Sequence, residues 1–177
     1  MKFNWIFALL FMSSVVASAQ QNLSPVPAES KVHFDIKNFG FNVGGDFGGL
    51  KGQVVFDKTN PAASSFDITV DATTIDTDNS RRDGHLRDVD YFDVTKYPTI
   101  RIVGNAILNS DKTYQFKGNL TIKNTTKPIE FPFTVSAKDA GLLFEGAFEI
   151  DRLHFTVGKE STVMSDKVKV TLKVLAK

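Results

Sequence analysis

The densest set of groups able to do chemistry lies between residues 81 and 93. There His85 stands among Asp83, Asp88, Asp90 and Asp93, with Arg81, Arg82 and Arg87 interleaved. An imidazole beside carboxylates is the raw material of acid–base catalysis or of a metal site, provided the groups converge within hydrogen-bond reach. Closeness in sequence does not supply that convergence. The same residues also cap helices, make turns and pair with arginines, which is the plainer account. Ser161 and Ser165 lack the surroundings of a nucleophile elbow, and no HExxH, phosphate-loop or dinucleotide pattern occurs. His33 and His154 are isolated, on positions able to face outward. Zero cysteines remove thiolate nucleophiles, thiolate metal sites and disulfides together. The chain therefore reads as non-catalytic, with no metal and no cofactor.

The segment that carries these groups, Asp78 to Tyr91, predicts one short helix capped by Asp78, Asn79 or Ser80. Asp83 and Arg87 are spaced for an ion pair, and Leu86 and Val89 share a face that could close a barrel end. On both sides of the helix the chain alternates apolar and polar residues. Tyr114, Phe116, Gly118, Leu120 and Ile122 alternate with Gln115, Lys117, Asn119, Thr121 and Lys123. A strand sends successive side chains to opposite faces, so one face is wet and the other greasy. Eight such strands are expected, beginning near Lys31, Leu50, Ser65, Pro98, Thr113, Ile129, Leu142 and Asp166, with the helix between the third and fourth. A bulge is expected near Thr73, where Ile75 breaks the parity, and an edge or irregular site at Pro132. The glycine-rich stretch from Asn38 to Gly49 reads as a bend or loop. The fold class is all-β, an eight-stranded antiparallel barrel with its greasy face inside.

Composition bounds the rest. Lys2, an apolar run from Trp5 to Val16, and Ala17-Ser18-Ala19 before Gln20 have the layout of a secretory signal cleaved near Ala19-Gln20. The run is shorter than the roughly 20 residues a membrane span needs. Residues 1–19 are thus read as a signal peptide, 20–30 as a loose arm, and 31–177 as one domain. After the leader, 20 basic residues balance 20 acidic ones, which gives no support to nucleic-acid binding or to bulk binding at an anionic membrane.

An apolar inner face is either a packed core or the wall of a cavity. Eight strands is the size at which a barrel interior is just filled or holds one small ligand. Gly52, Gly104, Gly118 and Gly146 all take the inward phase, where they either leave space or permit sharp coiling. If space remains, its walls suit a hydrocarbon, since each methylene withdrawn from water contributes roughly 0.8 kcal/mol. The expected lining is Phe34, Phe56, Ile102, Phe116, Gly118, Leu120, Phe131, Phe133, Phe148 and Leu172. Phe41, Phe47, Phe92 and Phe155 are candidates for the mouth, and Arg82 and His85 for contact with a polar head.

The run Arg82-Asp83-Gly84-His85-Leu86-Arg87, then Asp90-Tyr91-Phe92-Asp93-Val94 and Tyr97-Pro98, resembles the hallmark of the YceI-like family. Gly118-Asn119-Leu120-Thr121-Ile122, Thr126-Lys127-Pro128 and Asp166-Lys167-Val168 add further marks, so the resemblance spans Ser30 to Lys177. It implies a lipocalin-like barrel, exported to the periplasm or beyond, that encloses a polyisoprenoid, isoprenoid quinone or fatty-acid derivative. A carrier of this kind is expected to touch a membrane or a membrane protein transiently, as a monomer or a weak homodimer. Two departures stand out: His154 replaces an acid and Thr156 a glycine in the late family segment, and Asn38 stands where relatives often have histidine. The other class of function is an envelope stress or interaction protein that uses the barrel only as a scaffold.

Overall fold

A computed structural model describes residues 20–110 and 113–177. The leader, and with it the predicted cleavage site's upstream half, lies outside the described residues. Ten strands form one antiparallel sheet: β1 (Gln21–Leu23), β2 (Lys31–Asn38), β3 (Phe41–Phe47), β4 (Lys51–Phe56), β5 (Ser65–Asp71), β6 (Thr99–Ser110), β7 (Thr113–Ile122), β8 (Thr125–Lys138), β9 (Gly141–Asp151) and β10 (Met164–Ala176). Their order is β1-β4-β5-β6-β7-β8-β9-β10-β2-β3. One α-helix, α1 (Ser80–Arg87), lies between β5 and β6.

The all-β class with a single helix holds, but the strand count is ten rather than eight. One added strand is β3, inside the glycine-rich stretch expected to be a loop. Its pairing with β2 runs from Val32 opposite Phe47 to Asn38 opposite Phe41. Gly44 and Gly45 survive in this strand because the partner's side chains fill their places: a Cβ on Gly44 would meet His33, and one on Gly45 would meet the Phe34 ring. The other is β1, within the arm expected to be loose, which pairs with the far half of β4.

The arm stitches the sheet's edges. Val26 N–H donates to Leu175 O and Ser24 N–H to Lys177 O, each at 2.8 Å, while β1 continues onto β4. That covering explains why Leu175 and Ala176 are both fully buried at the end of an otherwise alternating strand. At the opposite end, Asp46 and Asp76 exchange backbone hydrogen bonds, and Asp71 N–H donates to Gly48 O. The sheet thus curls into an incompletely closed barrel, with β1 and β3 as its edge strands and two distinct ends. The arm end carries β1, the connection 57–64 and the C-terminus; the helix end carries α1, the β2–β3 turn and the segment 152–163.

Local chemistry sets the remaining elements. Asn79 is the residue that caps α1, its side chain accepting from Arg82 N–H at 3.0 Å. The parity break near Thr73 is a 3₁₀ turn, Ala72–Thr74, rather than a bulge. The expected Asp83–Arg87 pair does not form: Asp83 is buried against Thr77, and Arg87 reaches back to the carbonyls of Thr73 and Ile75. Leu86 faces inward as expected, but Val89 is 71% exposed because the helix has already ended at Arg87. Pro132 stands opposite Gln115 in the β7–β8 ladder but just beyond the last β8–β9 rung, Phe133 opposite Gly146, so β8 has no partner on its β9 side there.

The packed core occupies the arm end. Phe56, Phe66, Tyr114, Phe116, Phe133 and Phe144 form one cluster there. Edge-to-face contacts link Phe66 to Phe116, Phe133 and Phe144 at 5.7–5.9 Å. A second, smaller cluster at the helix end joins Leu120 and Ile122 to Phe155 and Val157.

A candidate ligand cavity

Above the aromatic floor the interior opens into a cavity of about 240 Å³. Every strand from β2 to β10 contributes to its wall, and so do Leu86 of α1 and Tyr91 and Phe92 behind it. Phe34, Phe47 and Phe92 form a chain of rings along one side, with centroids 5.5 and 5.4 Å apart. Phe116, Phe131 and Phe148 stack along the other at 4.9 and 4.7 Å.

Of the residues singled out from sequence, Phe34, Ile102, Phe116, Leu120, Phe131, Phe133, Phe148 and Leu172 line this cavity, as do Phe47, Phe92 and Arg82. The structure places five others elsewhere. Phe56 packs into the arm-end floor against Tyr114 and Phe144. Phe155 is buried in the second cluster, and Phe41 and His85 are exposed.

Gly118 is the instructive one. It stands directly opposite Gly104, and the Phe116 ring lies over both, within 2.5–2.7 Å of where their Cβ atoms would be. The two bare positions are filled by an aromatic ring and tight backbone approach, not by empty space. A side chain on Gly118 would strike the Val103 carbonyl and report on folding, not on the cavity. Gly52 likewise faces the Asp67 carbonyl, which leaves Gly146 alone of the four on the cavity wall.

Sequence reasoning left out Ile68, Val70, Val168, Val170 and Met164 of the lining. Strand alternation did mark the valines as inward, but nothing in it separates a residue beside a void from one beside a neighbour. Thr77 had no local signal, and Arg152 was marked only as the first residue of the late family segment.

These two residues organise the rim. Thr77 O accepts from Arg82 Nη2 at 2.7 Å, and Thr77 Oγ1 accepts from Arg82 Nε at 2.8 Å. Thr77 Oγ1 in turn donates to Asp83 Oδ1. Arg82 makes no ion pair with any carboxylate among the described residues, although it borders the cavity. A polar pocket of about 350 Å³ adjoins it, walled by Asn42, Asp46, Asp76 and Asp78 and sharing Thr77 and Arg82 with the apolar cavity. Arg152 is only 3% exposed. Its three nitrogens donate to Ser165 O at 2.9 Å, Val157 O at 3.0 Å and Asp166 Oδ1 at 2.7 Å. Thr156 stands where the resemblance expects glycine, and it does adopt φ 53°.

The acidic residues around His85 are not gathered around it. Asp83 is turned inward to Thr77, and Asp90 pairs with Lys159 at 3.2 Å. His33 faces Asp46 on the outer surface, Nδ1 to Oδ1 2.6 Å, with Asp35 at 3.5 Å.

The fold and this apolar interior define a class: small antiparallel barrels with an apolar internal cavity. Residues 24–176 match the model of the YceI-like domain, and the chain belongs to that family. It is 30% identical over 135 residues to Protein YceI of Shigella flexneri, covering 76% of this chain and 69% of that one. A UPF0312 protein of Pectobacterium carotovorum is 31% identical over 116 residues, covering 65% of this chain and 57% of the relative. Among solved structures, BcnA of Burkholderia cenocepacia superposes with a TM-score of 0.82 at 26% identity, over 86% of this chain and 99% of that one. A polyisoprenoid-binding domain of Saccharophagus degradans shares the fold at a TM-score of 0.70 and 14% identity, over 90% and 99%.

Proposed function

We propose that the protein is an extracytoplasmic, non-catalytic carrier that shelters a long apolar ligand inside the barrel: a polyisoprenoid, an isoprenoid quinone or a fatty-acid derivative. The observation that carries this reading is an interior left unfilled above a tightly packed floor, with aliphatic and phenylalanine walls. Burying a charged group there would cost several kcal/mol, whereas each methylene contributes roughly 0.8 kcal/mol of transfer free energy. The volume is below the roughly 300–1,000 Å³ of drug-sized pockets, which favours a slender chain over a bulky ring system. The polar end of the ligand belongs at the rim, where Arg82 offers a guanidinium without a carboxylate partner. The polyisoprenoid-binding description of the Saccharophagus neighbour agrees with this assignment, and the leader-like N-terminus supports export.

Organic extraction of purified protein followed by mass spectrometry should release a long-chain lipid. Val170→Trp, which fills the cavity from β10, should lower the lipid recovered per protein severalfold while the far-ultraviolet circular dichroism stays that of a β protein. Consistently clean extracts from the unmodified protein would sink the carrier and favour the scaffold reading.

A further inference from the structure

The β2–β3 turn consists of Phe39 and Gly40, with φ of 51° and 80°. Two successive positive-φ residues make the tight hairpin connection whose first position favours Asn, Asp or Gly. A bulky aromatic in the left-handed region is a steric outlier. Packing does not compensate it, because Phe39 is 69% exposed. Phe41, two residues on, is 76% exposed. Phe39 N–H donates to Val163 O at 2.8 Å, which brings a third exposed apolar side chain to the same tip.

The tip continues the cavity wall. Phe34 lies opposite Gly45, Ile36 opposite Val43 and Asn38 opposite Phe41. These pairs share the inward phase, and Phe34, Ile36, Asn38 and Val43 all line the cavity. Phe41 is the next step of that apolar track, projecting past the rim into solvent. Across Lys37–Asn42 and Ser161–Met164 the only charged residue is Lys37, which makes no ion pair among the described residues.

We propose that this tip is a docking finger for a phospholipid bilayer. Phe39, Phe41 and Val163 enter the interfacial layer, Lys37 meets anionic head groups, and a hydrocarbon passes between bilayer and cavity along the Phe41 track. Aromatic rings suit that layer, and a single cation among uncharged residues suits its negative surface. The surface rests on the carrier reading for its purpose, but not for its chemistry.

Flotation with vesicles of phosphatidylethanolamine and phosphatidylglycerol tests it. The unmodified protein should float, and F39S/F41S should partition more than about tenfold more weakly. Lys37→Gln should weaken flotation on these vesicles and not on pure phosphatidylcholine. Equal flotation of the double variant, or none by the unmodified protein, would overturn the docking surface. Extraction of the same samples separates the two readings. Protein that yields lipid yet ignores vesicles overturns docking alone. Protein that floats through its tip and never yields a hydrocarbon upholds docking and overturns the carrier.

Discussion

The two ends of the barrel are held by different physics. At the arm end, rings pack on rings: Phe56 on Tyr114 and Phe144, Phe66 on Phe116, Phe133 and Phe144. At the helix end, arginines grip backbone carbonyls: Arg82 takes that of Thr77, Arg87 those of Thr73 and Ile75, and Arg152 those of Val157 and Ser165. The contrast follows from the cavity. The loops that ring the cavity share only the smaller cluster around Phe155 and Val157, so directional hydrogen bonds from charged donors fix much of their backbone. Such bonds contribute about 1.5–3 kcal/mol apiece, less than a buried aromatic ring and more dependent on geometry.

The largest effect should come from the floor. Phe56→Ala removes a buried ring packed edge-to-face on Tyr114 and Phe144, away from the cavity wall, and should lower stability by about 3–5 kcal/mol in urea unfolding. Phe47→Ala, at the helix end, removes a half-buried ring that already borders the void, and should lose less than half as much. Equal losses would erase the distinction between a packed end and an open one.

Next in size is the grip itself. Arg152→Met keeps the side chain's length and bulk and removes every donor. The Asp166 side chain is 41% exposed and can be rehydrated, whereas the Val157 carbonyl loses its partner in a buried place. A loss of about 2–3 kcal/mol is expected, concentrated in the segment 152–165. Amide hydrogen exchange should quicken there, Gly158 included, whose N–H donates to Asp90 O, while β6 and β7 near Ala106 and Tyr114 stay protected. Exchange that rises uniformly would mean that the two ends unfold as one unit.

Much of this division was open to inspection in the chain, and the rest was hidden for identifiable reasons. Alternation on β7 and β10 located the inner face, because a half-buried strand repeats every two residues whatever it packs against. It did not identify β3, since Gly44 and Gly45 break the apolar pattern and only tertiary contact shows the side chains, His33 and Phe34 among them, that occupy their places. Nor did it separate floor from cavity: Phe56 and Phe34 look alike in sequence, and only the closing arm determines that one is sealed and the other faces a void. Gly118 misled because a missing side chain was equated with missing matter, when Phe116 supplies it. Arg82 was found through its motif, but Thr77, its acceptor, lies in an unremarkable loop whose role is fixed only by tertiary contact.

The smallest expected effect concerns acid, and it sharpens the comparison because a carboxylate, too, belongs to the helix-end grip. Asp71 accepts from the Thr73 hydroxyl at 2.6 Å and from Thr73 N–H at 2.9 Å. These bonds, the hydroxyl's first, hold its pKa below the usual carboxylate value. The turn they stabilise, Ala72–Thr74, presents the Thr73 carbonyl that Arg87 grips. A group whose pKa is lower when folded lends stability above its unfolded pKa of about 3.9, and that contribution fades as pH falls through the folded value. Asp67 has a lowered pKa as well, through its hydrogen bonds to Arg101, but the pair lies on the exposed outer wall between β5 and β6. Acidification below the ordinary carboxylate range should therefore loosen the 72–74 turn, read as faster exchange at Thr73, before it changes the arm-end amides. Asp71→Asn should produce the same local loosening at neutral pH, with Arg101→Gln leaving it untouched. If Arg101→Gln loosened the turn as much as Asp71→Asn, the grip would not be local to the helix end, and the difference between the two ends would have to be sought in packing alone.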